Sequence, residues 1–105
     1  MMKHVSILIP KGQYSIVNIG GAYQILQWAS DMFFQQTRQQ LFQVEFVGHE
    51  RPAGDVEGVY TVTPKRTIDE VHQTDLIIIP AVHGELSDAI KNNEKAIKWV
   101  AEQHR

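Results

Sequence analysis

Two short runs in this chain are apolar with little or no polar alternation: Val5-Ser-Ile-Leu-Ile9, ended by the turn signal Pro10-Lys-Gly12, and Leu76-Ile-Ile-Ile79, ended by Pro80-Ala-Val-His-Gly84. A strand without alternation has no solvent face, so both runs predict buried strands of a parallel sheet covered by helices on two sides, the second of them central. Between them the period changes. Ile19, Ala22, Tyr23, Leu26, Ala29 and Phe33 recur at three and four, which predicts a helix over about Asn18 to Gln36 with one face on the sheet. Leu41 to Val47 then alternates through Phe42, Val44 and Phe46, predicting a strand with one buried and one more polar face, nearer an edge.

From Gly48 to Pro64 glycine, proline and acidic residues punctuate the chain. Pro52-Ala-Gly-Asp55 reads as a turn and Gly58-Val-Tyr-Thr-Val-Thr63 as a short strand or hairpin arm against the sheet edge. Thr67-Ile-Asp-Glu70 fits a capping box and predicts a short helix over about Ile68 to His72. Leu86 to Arg105 predicts a helix interrupted near Asn92-Asn93, with Asn92 capping its second half. The order β-α-β, small β excursion, short α, β, α is that of an α/β chain forming part of a doubly wound sheet. Such a sheet needs further neighbours, so the expectation is a fragment of a larger protein, or a partner chain on the exposed side, with self-association or poor solubility alone.

Gly20 and Gly21 cost the predicted helix roughly 1 kcal/mol each relative to alanine, and close helix-to-sheet packing is the expected reason for them. Trp28, Met32, Phe33, Phe34 and Trp99 read as core residues; exposure of Trp28 or Phe34 would instead mark a partner interface.

Length and charge narrow the function classes. A chain of 105 residues has room for one domain, and a formal charge of −2 with its basic residues scattered gives no reason for this segment to bind nucleic acid or an anionic membrane. The apolar run Val5 to Ile9 is too brief for a signal peptide or a membrane span, so a cytoplasmic location is expected. The absence of cysteine removes disulfides and thiolate chemistry. There is no G-x-G-x-x-G after the first strand and no phosphate-binding P-loop, and the five histidines, His4, His49, His72, His83 and His104, form no metal-spaced pair. Neither cofactor nor metal is expected.

Ligands of open α/β sheets collect outside the carboxyl ends of the strands, which directs attention to Pro80-Ala-Val-His-Gly84. His83 there could act as a general base or as a hydrogen-bond donor into a pocket; equally, it could be a loop histidine satisfied by backbone and water. Ser87 lies nearby without a G-x-S-x-G elbow around it.

Val5-Ser-Ile-Leu-Ile-Pro10, Ile19-Gly-Gly-Ala-Tyr-Gln-Ile-Leu26, Gly58-Val-Tyr-Thr-Val-Thr-Pro64 with Thr67-Ile-Asp-Glu-Val71, and Asp75-Leu-Ile-Ile-Ile-Pro80 together resemble the ThiJ/PfpI superfamily. This is the class I glutamine-amidotransferase-like fold, and the chain most resembles the amino-terminal sensor domain of AraC-family transcription regulators. The resemblance implies a flavodoxin-like, mainly parallel sheet with helices on both faces, of which residues 1–105 are the amino-terminal part, with no DNA-binding domain in this chain. Where active relatives carry an acid in the first helix, Gln24 stands here, and glutamine cannot ionise. Their Pro-Gly-Gly-like turn is Pro80-Ala-Val-His83, in which the amides of Ala81 and Val82 could still serve as donors, and their nucleophile elbow would fall beyond Arg105. The implied function is a non-catalytic ligand-sensing or dimerising module of a regulator. Gln24, Ala81, Val82 and His83 form its candidate ligand site, an unknown small molecule its effector and a homodimer its assembly. The alternative is a fragment of a cysteine-dependent enzyme acting on small carbonyl or amide compounds; a structural remnant that binds nothing is the third reading.

Overall fold

A computed structural model describes residues 2–11, 16–49, 53–55, 61–80 and 85–104. The elements run β1 (Lys3–Ile9), α1 (Ile16–Thr37), β2 (Phe42–Gly48), β3 (Ala53–Asp55), β4 (Thr61–Val62), β5 (Arg66–Thr67), β6 (Leu76–Ile78), α2 (Leu86–Asn92) and α3 (Glu94–Gln103). Four strands form a parallel sheet in the order β5-β2-β1-β6, and β3 pairs antiparallel with β4 in a separate two-stranded sheet. This is the mainly parallel α/β architecture that the apolar runs predict.

Register divides the side chains between two layers. Val5 lies beside Val44 and Leu76, and Ile7 beside Phe46 and Ile78, so these residues share one face. There Ile7 and Ile9 pack with Ile19 of α1 and Val62 of β4 in a buried cluster. On the other face Leu8 and Val47 pack with Ile68, Val71, Ala96 and Trp99, which seats α3 on the sheet. The Trp99 indole N–H donates to the Val71 carbonyl at 2.8 Å, satisfying the one polar atom this ring brings into the core.

Several local expectations give way to tertiary context. β6 is an edge strand of the described sheet, with Leu76 and Ile79 about half exposed, so the run that reads as central is covered on only part of its surface. β1 holds the centre instead. β2 lies between β1 and β5, not at an edge, and its polar position Glu45 is buried. Ala53–Asp55 is a strand where a turn is expected. The capping box does form its reciprocal contact, the Thr67 N–H donating to Glu70 Oε1 at 2.8 Å, but it closes a single turn over Ile68 to Glu70 and no helix follows. Ile68 and Val71 are both buried in the same cluster.

Trp28, Met32 and Phe34 are exposed rather than core, while Phe33 is half-buried and Trp99 is buried. Nor do Gly20 and Gly21 serve close packing on the sheet: a Cβ at either would meet nothing within 4 Å. The helix break falls where it is expected, at Asn93, and the cap of the second half is Asn93 rather than Asn92; Asn93 stands between α2 and α3 with φ −118° and ψ 25°.

Candidate functional site

The break at Asn93 shapes the carboxyl end of the sheet. A buried amide must find partners, and this one finds them on three segments. Asn93 Oδ1 accepts the Lys11 backbone N–H at 2.7 Å, and Nδ2 donates to the Lys11 carbonyl at 3.1 Å and to the Ala89 carbonyl at 2.8 Å. The His49 ring nitrogen Nε2 lies 3.2 Å from the same Oδ1. Lys11 follows β1 and His49 follows β2, so one side chain ties the exits of two strands to the helix pair.

Beside it runs an open groove of about 310 Å³, lined by Leu8, Pro10, Ile79, Leu86, Ala89, Ile90, Asn93, Ala96, Ile97 and Val100. Its walls are the carboxyl ends of β1 and β6 and the inner faces of α2 and α3. The position is the one at which open α/β sheets bind ligands. Among the described lining residues Asn93 is the single polar side chain, and its hydrogen-bonding atoms are engaged. Such a surface can take up a small apolar group; these side chains offer nothing to move a proton or attack a carbonyl.

Of the four residues expected to form the site, only Gln24 is among the described ones. Gln24 is solvent-exposed on α1, which covers the opposite face of the sheet, and is absent from the groove lining. Ala81, Val82 and His83 lie outside the described residues, immediately after the buried Pro80. The groove itself was missed in the sequence, although a signal existed: Leu86, Ala89, Ile90, Ile97 and Val100 continue an apolar stripe across the predicted break.

A second constellation, unmarked in the sequence, lies towards the amino ends of the strands. Glu45 of β2 is buried, and its Oε1 accepts the Arg66 Nε at 2.7 Å and also the Arg66 Nη2. His4 Nε2 lies 2.7 Å from the same oxygen, and His4 Nδ1 lies 2.6 Å from the Thr74 hydroxyl, which in turn accepts from Ser6 Oγ at 2.9 Å. The assignment that fits is a proton on Nε2 directed at the carboxylate. The 2.9 Å approach of Arg66 Nη2 to that nitrogen is then two donors converging on one oxygen.

Burial alone would raise the Glu45 carboxyl, but hydrogen bonds from Arg66 and His4, together with the charge of these groups, outweigh it and hold the carboxyl below its ordinary value. The order hydroxyl, imidazole, carboxylate is that of a nucleophilic triad, yet the Thr74 hydroxyl also contacts the carbonyls of His4 and Leu76. The cluster fastens β1, β2, β5 and the entry to β6 to one another. Its place in the molecule is structural.

Among the described residues no helix is long and apolar enough to cross a membrane, and no group of three or more acidic or histidine side chains could hold a metal ion. Neither a protein-family model nor a curated protein matches the chain. Among solved structures it shares its fold with a candidate transcriptional regulator protein from Vibrio parahaemolyticus, at a TM-score of 0.74 and 23% identity over 97% of this chain. The chain spans 50% of that structure's length. At this identity the likeness establishes the fold.

Proposed function

We propose that this segment is a non-catalytic ligand-sensing module of an AraC-type transcription regulator, the front part of a ThiJ/PfpI-like domain. The observation that carries the reading is the groove at the carboxyl ends of β1 and β6: about 310 Å³, apolar, and free of titratable side chains among its described residues. A site of that chemistry binds and reports rather than turns over. Support for the regulator context comes from the fold shared with the Vibrio parahaemolyticus protein and from the order of ThiJ/PfpI-like motifs. Gln24 in place of the family's acid supports a non-catalytic role.

In this reading the effector is a small, largely apolar molecule. Ala81, Val82 and His83 are the candidate residues for its polar end, through two amides and an imidazole, and Gln24 is the fourth candidate. The module acts in the cytoplasm as a homodimer and leaves DNA contact to another part of the regulator.

The test is stabilisation by a small probe. Indole, which suits a groove of this size, raises the melting temperature of the wild-type chain by mass action, and Ala89→Phe, which fills the groove, abolishes the effect. An equal indole-induced rise in both proteins would overturn the assignment.

A further inference from the structure

α1 has two apolar faces. Ile19, Ala22, Leu26, Ser30 and Phe33 are buried or half-buried on the inner one. On the outer side, Val17, Gly21, Ile25, Trp28 and Met32 follow each other at spacings of three and four, and their large side chains are between 58% and 77% exposed. Asp31 is the only charged residue among the 22 of the helix. A helix that is apolar on both sides is normally covered on both sides.

We infer that this outer stripe is a self-association surface on which a second copy of the chain packs its own α1 antiparallel about a two-fold axis. The occupant follows from a symmetry in the stripe. Val17 and Met32 lie equally far from the point between Gln24 and Ile25, and so do Gly21 and Trp28. An antiparallel two-fold through that point sets Trp28 of each copy over Gly21 of the other and Met32 over Val17, so in these pairs the bulkier residue meets a smaller one, while the two Ile25 side chains meet beside the axis.

Gly21 also gains a reason to be there. It costs helix stability, and nothing within 4 Å of its missing Cβ justifies it inside one chain; it leaves the notch that an indole ring needs. Charge agrees with the same pairing. The two copies of Asp31 would stand about 20 Å apart along the helices, beyond the Debye length of about 8 Å at physiological salt. A helix of 22 residues is about 33 Å long and roughly 10 Å wide, so the contact is smaller than the about 800 Å² per partner of a standard interface. The dimer is therefore expected to be reversible.

This surface gives a location to the homodimer of the proposed module and does not depend on what the groove binds. Sedimentation velocity from about 1 to 200 μM tests it. The wild type shows a reversible monomer–dimer equilibrium, and Trp28→Glu weakens it at least tenfold without changing the far-UV circular dichroism. Register is tested separately: Val17→Lys and Met32→Glu each weaken association at least tenfold, and the double variant returns to within about threefold of wild type because each lysine meets a glutamate of the other copy.

A wild type that stays monomeric throughout overturns the inference. So does association untouched by Trp28→Glu but lost in Leu76→Lys, which would place the contact at the β6 edge, and so does a double variant no tighter than the single ones. Indole stabilisation of the dilute monomer is unchanged in Trp28→Glu, so failure of this surface and failure of the groove are read separately.

Discussion

Glu45 and Arg66 meet across the β2–β5 boundary with the carboxylate 3% exposed and the guanidinium 37% exposed, so a buried charge is held by a partner that still reaches water. The folded-state carboxyl is held below its ordinary value of 4.5, so the native state binds fewer protons than the unfolded chain there. The stabilisation is fully present above that ordinary value and is lost as the pH falls through the folded one. Urea unfolding between pH 3 and 7 should show wild-type stability dropping below about pH 4.5, while Glu45→Gln is less stable by about 1–3 kcal/mol at neutral pH and falls less steeply in acid. Equal acid slopes for the two proteins would remove Glu45 as the source.

Asn93 is the hinge pin at the other end of the sheet. Asn93→Ala leaves the Lys11 N–H and the Lys11 and Ala89 carbonyls without their side-chain partner, at an expected cost of about 1–3 kcal/mol. Asn93→Asp should be worse at neutral pH, because it turns a carboxylate oxygen towards two carbonyls that the amide nitrogen satisfied. Thermal unfolding ranks the variants, and Asp as tolerated as wild type would mean that the Nδ2 contacts carry no weight.

What the sequence made legible followed from strong, local patterns. β1 and α1 appear within two residues of their expected limits because an unbroken apolar run and a three-and-four period each demand one kind of element. The break before α3 was visible for the same reason. β6 was misplaced because an apolar run states that a strand wants cover without stating what provides it. The Glu45 cluster was invisible: its contacts join residues 21 and 41 apart in the chain, and Glu45 on an alternating strand looks like a solvent position until Arg66 and His4 arrive beside it. The capping box was read correctly as chemistry and wrongly as a helix, since Thr67 and Glu70 close the same contact in one isolated turn.

The two tryptophans make opposite predictions. Trp99 is buried and bonded to the Val71 carbonyl, so Trp99→Phe should cost about 1–3 kcal/mol through the unpaired acceptor and lost packing. Trp28 is exposed, and Trp28→Phe in the dilute monomer should stay within about 0.5 kcal/mol of wild type. Denaturant midpoints at low protein concentration separate them; a large cost for Trp28 under those conditions would place it in the monomer's core after all.

The claim that the carboxyl-end groove is the binding site rests on where a ligand lands, and the isoleucine methyl groups report that directly. Ile79, Ile90 and Ile97 line the groove, Ile7, Ile9 and Ile19 fill the core on the far side of the sheet, and Ile25 marks the outer face of α1. Titration of the methyl-labelled chain with indole should shift the first three in a saturable manner and leave the other four in place. Shifts confined to Ile25, or spread evenly over all seven, would contradict the account.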